Sequence, residues 1–268
     1  MEQNRPAEVA KETNIHGSIW NKIHSGYFSS PEKAATLLDM IKKTVVQYKP
    51  KVIVDLGAGT GTVLHWLSEI LNQPKPKLIA MDISDAQLVV IEELYPDQII
   101  PLKDSFTNFD RNNIKPLADS STLFISRSTF HYVGEEFFSV LIRHIRNQMN
   151  TGEHLIHQTA CFANANDAQL LNDLYALMHS AKWYPSLDLM KQVFEKNRFK
   201  LEQIVPAPAL PLKSSDLQIR YALTEKQIFE IINMATNNYQ NADNKVFISN
   251  SNSFTAYLHY YCMHCVAI

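Results

Sequence analysis

Cysteine is scarce in this chain, with Cys161, Cys262 and Cys265 the three among 268 residues. Three thiols build no disulfide framework, and a reducing cytoplasm is the expected setting. No block of lysines and arginines appears, and the formal net charge is −2. The basic footprint of a nucleic-acid binder is missing, which disfavours RNA and DNA as partners. No apolar run reaches the length of a membrane span, so no membrane role is expected. Met1 to Asn14 is polar and charged, unlike a secretory signal. Internal repeats, heptads and low-complexity tracts are lacking too. Cys262-Met-His-Cys265 has metal-like spacing, but a structural zinc takes four ligands and no second pair exists. The expectation is therefore no metal, with the thiols packed in or beside a sheet. The rest is ordinary globular composition, 46% hydrophobic and 19% charged. It suits one large domain, or a core with an appended lid.

Residues 52–62, Val-Ile-Val-Asp-Leu-Gly-Ala-Gly-Thr-Gly-Thr, carry the most information. An apolar run ends in Asp55, and Gly57, Gly59 and Gly61 follow at alternate positions. Glycine permits a sharp turn and lets a ligand approach where a Cβ would collide. A turn of this kind between strand and helix presents backbone N–H groups. Asp55 adds a negative charge beside the loop, which suits an amine-bearing ligand better than a bare phosphate. Lys77 to Met81 reads as a second strand ending in Asp82. A carboxylate at that tip can accept both hydroxyls of a ribose. Together these groups describe a site for an adenosine carrying an amino-acid group. A nicotinamide-type G-x-G-x-x-G turn would need glycine at position 62, where Thr62 stands, and leaves Asp55 without a role.

Further along, Ser30-Pro31-Glu32 starts a helix with Leu37, Leu38, Ile41 and Val45 at helical spacing. Ser84 caps a helix towards Tyr95, and Ile99 to Leu102 is a short third strand. Leu123 to Ser126 is a fourth strand, Gly134 to Met149 a helix, and His154 to Gln158 a fifth strand. Asn166 to His179 is helical, and Ser186 caps another helix. Phe199 to Val205 is a sixth strand, ended by Pro206, Pro208 and Pro211, since proline cannot continue a central strand. Thr224-x-x-Gln227 is a capping box opening a helix. Asn237 to Asn244 reads as a loop, and Phe254 onward as a last strand. Strands alternating with helices imply a mostly parallel sheet.

In these residues the chain resembles the class I S-adenosylmethionine-dependent methyltransferases. Asp55, Gly57, Gly59 and Gly61 match the family's first motif, with Ala58 inside it. Asp82 matches its second-strand acid, and Ile83 would pack on the adenine. Asp104, followed by Ser105, matches the acid near the adenine. Leu123 to Tyr132 matches the fourth strand running into an aromatic-His stretch, and Ser126 falls at a strand end facing the same crevice. The resemblance implies an α/β, doubly wound, mostly parallel seven-stranded sheet. Its last strand is antiparallel, with helices on both faces and a partly helical lid. Residues 1–48 would form an N-terminal helical segment of that lid. Residues 49–268 would be the core, with helical additions at about 164–196 and 212–244.

The cofactor implied is S-adenosylmethionine, and the acceptor a small organic molecule methylated at O or N. His131 is the candidate general base, since an imidazole suits proton removal near neutrality. It is equally readable as a wall histidine. Trp20, Tyr27, Phe28, Trp183, Tyr184, Arg220 and Tyr221 lie in segments able to fold over the sheet and exclude water. Arg127, which could bind an acceptor carboxylate or the cofactor, and Tyr132 are further candidates for the acceptor pocket. The other readings are an enzyme methylating RNA or protein, and a cofactor-binding protein without transfer activity. Ser126-Arg127-Ser128-Thr129 is not the Asn/Asp-Pro-Pro-aromatic signature of nucleic-acid amino methylation. No Pro-Cys pair suggests a cytosine-C5 enzyme. Glu135-Glu136 lacks the separation seen in protein-arginine enzymes. No carboxylate cluster suggests a catechol-type magnesium site. Oligomeric state leaves no signature.

Overall fold

The computed structural model describes residues 26–72, 74–118, 120–239 and 246–268. Strands β1 (Val52–Leu56), β2 (Lys77–Asp82), β3 (Ile99–Lys103), β4 (Thr122–Arg127) and β5 (His154–Ala160) run parallel. Strand β6 (Phe199–Lys213), the short β7 (Phe247–Ser249) and β8 (Phe254–Ala267) complete the sheet in the order β3-β2-β1-β4-β5-β8-β6. The last strand pairs antiparallel with β5, β6 and β7. This is the expected doubly wound α/β sheet, enlarged to eight strands by β7. Among the described residues, no helix is long and apolar enough to cross a membrane.

Three packed cores follow from the sequence pattern. On one face, α1 (Pro31–Tyr48), α2 (Thr62–Ile70) and α3 (Asp85–Leu94) bury Leu37, Ile41, Leu64, Leu67 and Ile91 against Ile53 and Ile156. Ser30 starts α1 as expected, its hydroxyl accepting from Lys33 N at 3.2 Å, with Pro31 in the first turn. Helix α1 lies against the sheet, so the 31–48 part of the expected lid segment is a layer of the core. On the other face a four-residue α4 (Lys115–Ala118) precedes β4. There α5 (Gly134–Asn147) buries Phe138, Leu141, Ile142 and Ile145.

The third core belongs to an overhang. Ala160 at the end of β5 pairs with Tyr260, yet β8 begins six residues earlier and β6 continues beside it to Lys213. The β6–β8 ribbon therefore rises about 20 Å past the carboxyl edge, at about 3.4 Å per residue. Helices α6 (Ala165–Leu177), α8 (Ser214–Tyr221) and α9 (Glu225–Asn238) pack on it through Leu171, Leu174, Leu217, Ile228 and Ile231. The Thr224–Gln227 capping box forms reciprocally at the start of α9. Helix α7 (Leu187–Lys196) returns to the main core through Met190 and Phe194.

One expectation needs correction. Strand β6 does not stop at Val205. It is an edge strand, where a missing N–H costs no ladder bond, and its register shifts between Ala207 and Leu210, around Pro208. Residues 214–221 form a helix inside the helical addition expected at about 212–244, although Lys213 at its cap position makes no side-chain cap bond. The metal-like cysteine pair separates across the sheet: Cys262 packs with the α1–α3 core and Cys265 with the α5 core. Among the described residues no group of three or more His, Cys, Asp or Glu could hold a metal ion.

Candidate active site

The glycine turn is pinned to the second strand. Gly57 N and Ala58 N both donate to Met81 O, at 2.9 and 3.0 Å. Gly57 has φ +79°, and a Cβ there would lie 2.6 Å from Thr129 Cγ2. Gly59 has φ +55° with nothing within 4 Å of where its Cβ would point. The turn therefore presses on β4 at one glycine and opens onto unfilled space at another. Gly61, φ +74°, admits the chain to α2 against Ile91.

Acids converge on that opening. Asp55 is buried, and its Oδ1 has no hydrogen-bond partner among the described residues. Burial, then the neighbouring Asp82, push its carboxyl up to about 7, with Arg127 opposing. Asp82 accepts from Gly59 N at 2.8 Å through Oδ2 and from Ser84 N at 3.0 Å through Oδ1. Burial raises its pKa against those bonds. Ser84 occupies the cap position of α3 without a side-chain cap bond, and its own N–H is the one that the Asp82 carboxylate accepts. Each Asp82 oxygen keeps a further acceptor site, enough for two ribose hydroxyls. Ile83 next to it is 41% exposed, a large apolar side chain left open where an adenine would lie. Asp104 follows β3, its N–H donating to Asp82 O at 3.2 Å and its Oδ1 accepting from Ser105 N at 2.7 Å.

The residues present therefore fit S-adenosylmethionine. A lone buried carboxylate oxygen awaits an ammonium, and the space at Gly59 is free for its backbone-bound part. Asp82 would hold the ribose, and Ile83 with Asp104 the adenine. Bound there, the cofactor would supply an activated methyl group.

The fourth-strand tip is built differently. Ser126 is turned inward, its hydroxyl donating to Leu56 O at 3.1 Å and meeting the Thr129 hydroxyl. It closes the β1 end and does not face the opening. Arg127 donates from Nε to Gln158 Oε1 at 3.1 Å and from Nη1 to Phe28 O at 2.9 Å. It also lies over Tyr27, Phe28 and Trp66, between 5.4 and 5.8 Å from each ring centre. Arg127 thus fastens the turn before α1. Ser128, at φ 63°, is bonded to the buried Tyr260 hydroxyl at 2.8 Å.

His131 sits in the 3-10 turn Phe130–Val133, 6% exposed. Its ring lies 4.2 Å from Tyr132 and 5.4 Å from Tyr184, and its carbonyl accepts from Trp183 N at 3.1 Å. Tyr184 is fully buried, with its pKa raised by burial. Trp183 is carried away from this group and packs on Phe138 at 5.6 Å. Tyr221 and Arg220 come together on α8, the guanidinium 5.2 Å from the phenol centre. Trp20 lies outside the described residues. Gln158, Lys182, Ser128 and Tyr260 belong to this end of the site too. Nothing local in the sequence marks them together, because Gln158 lies on β5, Ser128 after β4, Lys182 between α6 and α7 and Tyr260 on β8, and only the folded sheet brings them close.

The family model of the methyltransferase domain matches residues 31–204, and the chain belongs to that family. It is a class I methyltransferase, and S-adenosylmethionine is its cofactor. No curated protein sequence matches the chain. Among solved structures, YcgJ protein from Bacillus subtilis is similar at 15% identity and TM-score 0.65, over 87% of this chain and 98% of that one. A Burkholderia thailandensis 1,6-didemethyltoxoflavin-N1-methyltransferase with bound 1,6-didemethyltoxoflavin and S-adenosylhomocysteine is similar at 9% identity and TM-score 0.58, over 100% of this chain and 91% of that one. The [4+2]-cyclase SpnF is similar at 11% identity and TM-score 0.53, over 87% and 80%. At these identities the likeness is one of fold, and fold alone does not choose a substrate.

Proposed function

We propose that this methyltransferase acts on O or N of a small organic acceptor. The observation that carries the reading is the enclosure beyond the β4 tip. His131, Tyr184 and Tyr260 are buried there under the third core, a setting that fits a small molecule better than a docked macromolecule. Such an end excludes water, which would otherwise compete for the methyl group. The chain's own part is to hold acceptor and donor in line, about 3 Å apart.

Asp55 orients the cofactor's ammonium, Asp82 its ribose and Asp104 its adenine, with Gly57, Ala58, Gly59, Gly61, Ile83 and Ser105 shaping the cradle. Helices α6, α8 and α9 form the acceptor wall, with Tyr27, Arg127, Tyr132, Tyr184, Arg220 and Tyr221 facing it. His131 is the residue placed to take a proton from the acceptor. The setting proposed is the cytoplasm, which suits three free buried thiols.

Calorimetry should show S-adenosylmethionine and S-adenosylhomocysteine binding and no NADH binding. Methyl-labelled cofactor with a metabolite extract should then label a small molecule. His131→Ala should lower kcat by about 10²–10⁴-fold, the usual reach of general-base catalysis, at unchanged cofactor affinity. Label appearing only in protein or RNA would overturn the small-molecule reading. A fully active His131→Ala would leave the proton to solvent.

A further inference from the structure

Asp55 and Arg127 stand on the same face of the sheet. Asp55 on β1 pairs with Ile125 on β4, and Arg127 is two residues further along β4. Alternation along the strand returns Arg127 to the side of Asp55. Strands about 4.8 Å apart and a step of about 6.6 Å give a diagonal of about 8 Å, which a long side chain spans. Their surroundings agree. Ile53, Ile125 and Cys262 pack in the α1–α3 core, and the guanidinium lies 5.8 Å from the ring of Trp66 on α2.

Every hydrogen bond of that guanidinium among the described residues goes to a neutral acceptor. Gln158 Oε1 is at 3.1 Å, Phe28 O at 2.9 Å and Tyr27 O at 3.3 Å. The titratable groups acting on it are Tyr27 before α1, Tyr260 and Cys262 on β8, and Asp55. Burial raises the first three, Tyr260 and Cys262 to about 12, so they stay neutral at working pH. Asp55 is the member of this set able to carry a negative charge near neutrality. On its own side Asp55 is buried, with Oδ1 unpartnered among the described residues. Burial and Asp82 at the β2 tip work against its charge, and Arg127 works for it. Such an effect is stronger where water is scarce.

We infer that Arg127 is a positioning residue for the cofactor: fastened by the turn before α1, it supports the negative charge with which Asp55 receives the ammonium. This role rests on the assignment of Asp55 to the cofactor made above. It gives the turn a part in binding the donor. The Tyr27 and Phe28 carbonyls hold a cation beside the acid, and a turn lifted from β4 would leave Asp55 facing Asp82 without that support.

The test is the pH profile of S-adenosylhomocysteine affinity, measured by calorimetry on the full chain from about pH 5.5 to 8.5. In wild type the affinity climbs through about pH 7. Arg127→Met should move the rise upward by about one pH unit, the low end of what a neighbouring opposite charge does. Its affinity should be about tenfold below wild type near pH 6 and within about twofold of it at pH 8.5, as a one-unit shift requires. Arg127→Lys keeps the charge and should leave the rise within about half a unit of wild type. Gln158→Glu keeps an acceptor for Nε and sets a carboxylate against the guanidinium, so it should move the rise upward with Arg127 still in place. In an Asp55→Asn chain, adding Arg127→Met should change affinity by less than about twofold, because the partner it acts through is gone.

A deficit of equal size at every pH would assign Arg127 to direct grip of the cofactor or to the fold alone, and overturns the positioning role. A rise left at its wild-type pH in both Arg127→Met and Gln158→Glu overturns it too. If Arg127→Met does not fold, the Gln158→Glu profile decides. If wild type binds S-adenosylhomocysteine and Asp55→Asn binds it equally well, the assignment of Asp55 has failed, and the role of Arg127 falls with it.

Discussion

Nε2 of Gln158 donates to the Tyr27 hydroxyl at 3.2 Å, joining the end of β5 to the turn that precedes α1. The same hydroxyl donates onward to Pro208 O on β6, and Gln158 Oε1 takes Nε of Arg127. One carboxamide and one phenol thus tie three strands to the turn. The Tyr27 ring also stacks on Tyr260 at 5.6 Å. Burial raises the Tyr27 pKa, so the phenol stays a neutral donor across the working range. Tyr27→Phe keeps the stacking and leaves a buried donor and a buried acceptor unmatched. The expected cost is about 1–3 kcal/mol by chemical denaturation. Unchanged stability would show that the turn is held by Arg127 alone.

Asp55 should make cofactor binding depend on pH. Its carboxyl, raised to about 7 in the folded chain, must ionise to attract an ammonium. Affinity should therefore climb as pH rises through about 7, and Asp55→Asn should bind weakly with a flat profile. The linkage to stability has the opposite sense. A carboxyl raised above its unfolded value of 3.8 is protonated in the fold while the unfolded chain is ionised. The free protein should lose stability between about pH 4 and 7, and Asp55→Asn should remove that loss. Calorimetric titrations and melts across this range check both halves.

The two glycines should fail in different ways. Gly57→Ala drives a Cβ to 2.6 Å from Thr129 Cγ2 at φ +79°, so both stability and cofactor affinity should fall. Gly59→Ala meets nothing within 4 Å, and its φ of +55° costs about 1–2 kcal/mol. Its methyl group points into the space assigned to the cofactor. A modest drop in melting temperature with at least tenfold weaker binding is expected. Tight binding by Gly59→Ala would move the cofactor elsewhere.

His157 is expected to set the acid limit of the fold. It is fully buried between Phe130 and Phe194, at 5.2 and 5.0 Å, and neither ring nitrogen has a hydrogen-bond partner among the described residues. Burial lowers its pKa to about 3. The unfolded chain takes up the proton near pH 6.5 while the folded one refuses it. Stability should decline as pH falls from about 6.5 towards 3, by roughly 3–5 kcal/mol in all. His157→Phe fills a similar volume without a polar atom. It should match or exceed wild type at neutral pH and flatten the acid limb. An unchanged limb would assign acid lability to other groups.

The candidate cofactor end is legible in the sequence because its information is local. Asp55, the alternating glycines and Asp82 occupy one strand–turn–helix–strand passage, and each has a backbone reason to be where it is. The acceptor end was readable only in part. Tyr27, Tyr184, Arg220 and Tyr221 stand out as aromatic or cationic residues in segments able to fold over the sheet, and Tyr132 through the aromatic-His stretch after β4. Trp183, chosen on the same ground, turned to Phe138 because its neighbour Tyr184 faces the other side. Lys182, Gln158 and Tyr260 gave no signal, since their roles depend on strand ends remote in sequence. Pro206 and Pro211 misled because proline reports a missing donor but not whether a strand is central or at an edge. Ser126 misled because a strand-end hydroxyl can as well close a neighbouring carbonyl.

The overhang of β6 and β8 has an evolutionary reading. Among the described residues, none proposed to hold the donor lies on it, while α6, α8 and α9, proposed as the acceptor wall, pack against it. Substitutions in α6, α8 and α9 can reshape what is accepted while the turn at Gly57–Gly61 stays as it was. Such a chain can drift between customers and keep one supplier.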